Sequence, residues 1–170
     1  MNKLYYGLTR PNQLREMMYD VCKTLKSSRE DLKSTLILML ATCYQETHLG
    51  QLRDRTRYGA GTGVMQFDEY PYNDIKRRGS RYYDICLKEF NIDISNVEYT
   101  ELELSPLASI VMARIKYKLV PYAIPSWDDF GSVWSYYKKW YNSYLGKATV
   151  EEFKISYHKA LEEYKKITTE

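Results

Sequence analysis

Nine of the thirteen residues from Leu32 to Tyr44 are apolar: Leu32, Leu36, Ile37, Leu38, Met39, Leu40, Ala41, Cys43 and Tyr44. A helix built on them is greasy round most of its circumference and has to be enclosed by other elements. One carboxylate, Glu46, stands at the end of the run, and Gly50 follows within four residues as a helix stop. A carboxylate placed there sits on rigid backbone, partly in apolar surroundings. Desolvation raises a carboxylate pKa, and a raised pKa suits a general acid at neutral pH.

Gly59, Gly61 and Gly63 then alternate along a loop. Glycine lets a backbone approach a ligand closely. Val64, Met65, Gln66 and Phe67 add apolar flanks and one amide. Close backbone, amides and flat apolar surface are what a groove needs to hold a sugar. Tyr58, Gly63, Met65 and Gln66 are the expected substrate contacts. Spacing alone suits equally well a plain helix, a flexible loop and a further core segment.

With 170 residues, 44% of them hydrophobic, the chain reads as one domain, 1–170, with a real core. A net charge of +3 argues against a dedicated nucleic-acid binder, while its sign suits an anionic cell wall. Eighteen tyrosines offer flat faces with polar tips, as useful in an ordinary core as in a carbohydrate cleft. Residues 1–10 lack the apolar run of a secretory signal. No segment reaches the roughly 18 apolar residues of a membrane span, so no membrane insertion is expected. Cys22, Cys43 and Cys86 are odd in number and not at metal-like spacing. They read as buried reduced thiols in a chain that folds in a reducing cytoplasm.

Residues 1–11 read as a leader arm. Leu14, Met17, Met18, Val21, Cys22 and Leu25 recur at three and four and predict a helix over 12–26. Ser28 is the expected cap of the next helix, with Asp31 as its capping-box partner. Arg53, Arg55 and Arg57 alternate with Asp54 in a solvated basic loop. Residues 69–73 read as an aromatic turn and 73–78 as a short helix, with Lys76, Arg77, Arg78 and Arg81 as a second basic cluster. A helix is expected over 82–90, and extended or loop structure over 91–104. Ser105-Pro106 starts a largely buried helix. Residues 128–144 predict one very aromatic helix ended by Gly146, and Thr149 with Glu152 caps a last helix through Tyr164. The fold class is mainly α, with little or no β-sheet.

Glu46-Thr47-His48-Leu49-Gly50 resembles the Glu-Ser-His-Ala-Gly of goose-type lysozymes. Gly63-Val64-Met65-Gln66-Phe67-Asp68 resembles their Gly-Leu-Met-Gln-Val-Asp. Lytic transglycosylases share the Glu-Ser and Gly-Leu-Met-Gln pair in the same order. The resemblance covers residues 30–70, about a quarter of the chain. Further on, Tyr141-Asn142 matches the centre of the family's Ala-Tyr-Asn-Ala-Gly, without its alanines and glycine.

The resemblance implies a lysozyme-like helical fold with a cleft. The implied substrate is peptidoglycan, cut at the β-1,4 bond between N-acetylmuramic acid and N-acetylglucosamine. Glu46 would be the general acid and Asp68 the base that activates water. Tyr141 and Asn142 would line the cleft, with the tyrosine close to the glutamate, and no cofactor or metal is needed. His48 would either shape the site or simply pack, and His158 is expected on the surface. The family's second, earlier aspartate has no counterpart between Arg57 and Ala60. The alternative is therefore a lytic transglycosylase, in which Glu46 alone gives and retrieves the proton and the product ends in a 1,6-anhydro sugar. A family-19-chitinase-like enzyme, a non-enzymatic wall-binding protein and a regulatory DNA binder are more distant readings. The chain is expected to be a monomeric phage endolysin, made in the cytoplasm of the infected host and passed to the wall by a holin-type route.

Overall fold

A computed structural model describes residues 3–53, 61–142 and 146–169. Among them are seven α-helices: α1 (Pro11–Thr24), α2 (Leu32–Thr47), α3 (Glu69–Arg78), α4 (Tyr83–Phe90), α5 (Pro106–Lys118), α6 (Phe130–Tyr137) and α7 (Val150–Thr169). Short 3₁₀ helices cover Ser80–Tyr82 and Tyr99–Glu103, and a π-helical turn covers Lys138–Asn142. The β structure among the described residues is one isolated antiparallel bridge, Thr62 with Phe67. The protein is mainly α, as the apolar periodicities predict.

Every residue of α2 from Ser34 to Cys43 is buried. The all-round apolar sequence explains this: α7 packs along α2, and α1 and α6 cover other sides. α5 is the second enclosed helix, buried from Ala108 to Ile115 and packed against α1, α3 and the Tyr99–Glu103 turn. The three cysteines are buried free thiols. No helix among the described residues is long and apolar enough to cross a membrane.

Local expectations fail where a side chain competes with the pattern. The cap of α2 is Asp31, not Ser28: its carboxylate accepts from the Ser34 amide at 3.0 Å and the Ser34 hydroxyl at 2.7 Å. Ser28 lies instead in a turn closed by Ser27 and Glu30. α3 begins at Glu69 rather than Asn73, because Pro71 falls in its first turn, where a missing N–H costs nothing. Within 91–104, Asp93 accepts from Ser95 and Asn96, and Glu98 and Glu101 form a capping box that nucleates a 3₁₀ helix. The expected helix over 128–144 is interrupted after Tyr137 by the π-helical turn. Residues 4–8 are not a free arm: Tyr6 and Leu8 are buried, and the Tyr5 amide bonds Gly50 O at 2.9 Å. Arg77 and Arg78 are both bound by Asp74, which neutralises part of the second basic cluster.

One ion pair is internal. The Arg114 guanidinium is fully buried and paired with Glu30, which also binds Lys118 at 2.6 Å. Burial pushes the Glu30 carboxyl up, but the bonds from Lys118 and Arg114 outweigh it and hold the group at about 2.

Candidate active site

Glu46 occupies the last turn of α2, and His48 ends the helix in a left-handed conformation. The next residue after Glu46 fixes this end to the second motif. Thr47 is buried; its hydroxyl donates to Val64 O at 2.7 Å and accepts from the Gly50 amide at 3.1 Å. Glu46 and the segment 61–68 are thereby held by one hydroxyl. Within that segment Thr62 and Phe67 exchange two backbone hydrogen bonds, at 3.0 and 2.9 Å, closing a tight loop.

The loop brings Gln66 and Asp68 to the mouth. Gln66 has φ +47, unusual for a residue with a side chain, and its Nε2 donates to Gly63 O at 2.9 Å and to the Tyr6 hydroxyl at 3.3 Å. Asp68 is exposed at the start of α3 and makes no cap bond to that helix. A cleft of about 200 Å³ is lined, among the described residues, by Glu46, Gly61, Gln66, Asp68, Tyr141, Asn142 and Gly146.

The opposite wall comes from α6 and the π-helical turn. Tyr137 Oη donates to Glu46 Oε1 at 2.7 Å. Its ring is fully buried and stacked on Phe153, 4.6 Å between centroids. Tyr141 Oη donates to Met65 O at 2.7 Å. Lys138 Nζ donates to Asn142 Oδ1 and Gly146 O, each at 2.7 Å, and to Ala148 O at 3.2 Å. A Cβ at Gly146 would stand 2.1 Å from Asn142 Oδ1, so no other residue allows this close approach.

Burial pushes the Glu46 carboxyl from its ordinary 4.5 to about 7. The Tyr137 bond and the charge of Lys116 pull it down, and the charge of Asp68 pushes it up. Lys116, on α5, is itself lowered to about 8 by burial, against the pull of Asp68 and Glu46. Its ammonium donates to Tyr141 O at 3.1 Å and lies 4.1 Å from the centre of the Tyr141 ring. A carboxyl poised near neutrality on a rigid helix can both release and recover a proton at physiological pH.

The structure thus brings together Glu46, Gln66, Asp68, Tyr141 and Asn142. It does not bring the Met65 side chain to the cleft. Met65 is fully buried because the apolar side of the loop faces α5; its amide donates to Ser109 Oγ at 3.2 Å. Gly63 also faces away. It has φ +77, and a Cβ there would lie 2.2 Å from Leu102 O, so it serves the packing of the loop on the Tyr99–Glu103 turn. The tyrosine that bonds the glutamate is Tyr137, one turn before the Tyr141 that the resemblance implies. Tyr58, Arg55, Arg57 and Gly59 lie outside the described residues. His48 stacks on Tyr44 at 4.5 Å, a packing contact, and His158 is exposed.

Sequence reasoning missed Tyr137, Lys116, Thr47 and Tyr6. A basic residue inside the apolar pattern of α5 was the available signal for Lys116. Among the described residues no group of three or more His, Cys, Asp or Glu side chains is placed to hold a metal. Comparison with family models, curated proteins and solved structures finds no match to this chain.

Proposed function

We propose that this protein is a peptidoglycan glycosidase of lysozyme-like fold, cutting the β-1,4 bond between N-acetylmuramic acid and N-acetylglucosamine. The observation that carries the reading is Glu46: a carboxyl held at about 7, bonded by Tyr137 and facing a cleft it shares with Asp68. The motif resemblance to goose-type lysozymes and lytic transglycosylases supports the substrate. The setting it implies is phage lysis, with synthesis in the host cytoplasm and passage to the wall by a holin-type route.

In the hydrolytic route the Glu46 proton passes to the glycosidic oxygen as the bond to C1 breaks, and positive charge spreads over C1 and the ring oxygen. Water adds to C1 and gives its proton to Asp68. In the second route the sugar's own 6-hydroxyl adds to C1 and returns its proton to Glu46, leaving a 1,6-anhydro end. Two observations favour keeping this second route. Asp68 is the one carboxylate besides Glu46 among the described residues lining the cleft, and a group near 7 serves equally as acid and as base.

Mass spectrometry of fragments released from purified peptidoglycan tests both. Free reducing ends on muramic acid mean that water is the acceptor. Products lighter by one water mean anhydro ends and catalysis through Glu46 alone. No released fragments from any wall type overturns the glycosidase reading and leaves wall binding without cleavage.

A further inference from the structure

Lys138 and Asn142 stand at the two ends of the π-helical turn, and their side chains meet. An ammonium has three N–H donors and no acceptor. All three are spent here, on Asn142 Oδ1 and Gly146 O at 2.7 Å each and on Ala148 O at 3.2 Å. Two of these acceptors are backbone and serve to hold the chain around Gly146. The bond to Asn142 has a further effect, because it decides which way round the amide sits. The two ends of an asparagine amide are alike in shape and opposite in hydrogen bonding. A partner that can only donate takes the oxygen and leaves the Nδ2 donors for other groups.

That direction is passed on to Glu46. Burial and Glu46 push the Tyr137 hydroxyl well above its ordinary value, and a side-chain hydrogen bond from Asn142 pulls the other way. A bond that favours the phenolate is one donated to its oxygen. A phenol has a single proton. With its oxygen receiving from Asn142, that proton goes to Glu46 Oε1, 2.7 Å away. Lys138, Asn142, Tyr137 and Glu46 thus form a chain in which every bond points toward the carboxyl, and bonds aligned in this way strengthen one another. When Glu46 carries its own proton, Oε1 is already receiving one from Tyr137, so the acid hydrogen rests on Oε2. Without Lys138 the amide is free to turn its oxygen to Tyr137. The phenol proton then has two acceptors, and Glu46 Oε1 can hold the acid hydrogen itself, aimed at Tyr137.

We propose that Lys138 is a positioning residue for the acid: by fixing the Asn142 amide it directs the Tyr137 proton onto Glu46 Oε1 and keeps the transferable hydrogen on Oε2. The use of that hydrogen rests on the glycosidase reading; its place does not. Lys138 lies outside both motifs and outside the Tyr141-Asn142 pair that carry the resemblance, which therefore gives it no role.

The test is a carbon-13 NMR titration of the Glu46 carboxyl, assigned by its loss in Glu46→Gln, on protein without substrate. Lys138→Met and Asn142→Ala should each raise its midpoint by roughly 0.3 to 1 pH unit, the lower figure if only the alignment is lost and the higher if the phenol proton turns away. In a Tyr137→Phe background neither variant should move the midpoint further, because the shift travels through the phenol proton. Asn142→Ala spares the Lys138 bonds to Gly146 O and Ala148 O, so it decides the matter even if Lys138→Met unfolds. An unmoved midpoint in Asn142→Ala would overturn the chain. An equal rise in the Tyr137→Phe background would overturn it too, since the groups would then act on Glu46 without Tyr137. Release of wall fragments by the wild type is scored separately: its absence overturns the glycosidase reading, while the titration still decides the chain.

Discussion

Tyr137 Oη and Glu46 Oε1 are 2.7 Å apart and 91 positions apart in the chain. The bond favours the ionised carboxylate and so works against burial, which favours the protonated one. Replacing Tyr137 by Phe keeps the ring against Phe153 and removes only the donor. The Glu46 pKa should then rise, by about one unit for a bond of ordinary strength. The alkaline limb of the rate against pH should move upward by the same amount, with the fold intact by circular dichroism. An unmoved limb would remove Tyr137 from control of the acid.

Lys116 and Asp68 bias the same carboxyl in opposite directions. Lys116→Met should shift the alkaline limb upward, and Asp68→Asn should shift it downward. Asp68→Asn also separates the two routes: a hydrolase relying on Asp68 loses most of its rate, a transglycosylase keeps most of it. Shifts of the same sign in both variants would mean that the two charges do not act on Glu46.

Glu46→Gln should abolish release of wall fragments and alter stability in a pH-dependent way. The folded pKa of Glu46, about 7, lies above its ordinary 4.5. Its contribution to stability is therefore complete below about 4.5 and is lost as pH rises through about 7. The Gln variant has no such dependence. It should gain on the wild type with rising pH, by no more than about 3 kcal/mol at pH 9. Thermal unfolding of both proteins from pH 4 to 9 measures the difference, and parallel curves would contradict the burial of the acid.

The α2 axis and the caps at Ser105 and Thr149 were legible in the sequence, written locally in apolar spacing or in a motif a few residues long. The meeting of Glu46 with Asp68 and Gln66 was legible only through the resemblance of the two motifs to a known family. Tyr137 was not legible. It is one of eighteen tyrosines, and what distinguishes it is a π-helical turn that sends Tyr141 Oη to Met65 O and leaves Tyr137 facing Glu46. Lys116 was hidden for a similar reason: only the packing of α5 behind the loop gives its charge a role. Met65 and Gly63 were misplaced because a glycine-rich loop does not declare which of its faces turns inward. Here Leu102 O and Ser109 decide it.

Gly63→Ala follows from that placement. With φ +77 and Leu102 O at 2.2 Å from the new Cβ, the loop must shift. The expected cost is about 3 kcal/mol, or roughly 6–12 °C in Tm for a chain of this size. A Tm within about 2 °C of the wild type, a cost of at most about 1 kcal/mol for a chain of this size, would show that the loop yields freely.

Glu30→Gln should act far from the cleft. The variant leaves the Arg114 guanidinium buried without its counter-charge, at about 3 kcal/mol or more. Because Glu30 is held at about 2, below its ordinary 4.5, its contribution is present above about 4.5 and is lost as pH falls through about 2. Wild type and variant should therefore converge in stability under acid, while glycan cleavage per folded molecule at neutral pH stays the same. A constant gap down to pH 2 would contradict the pair.

The Thr47 hydroxyl, shared between Val64 O and the Gly50 amide, also bears on the order of assembly. The last turn of α2 is anchored from three elements: Thr47 bonds Val64 O, Tyr137 of α6 bonds Glu46, and Ser156 of α7 bonds Gln45. The acid is therefore aligned by the meeting of these elements and not by the winding of α2 alone. Amide exchange at Thr47–Gly50 should accordingly report the docking of the loop rather than the winding of the helix.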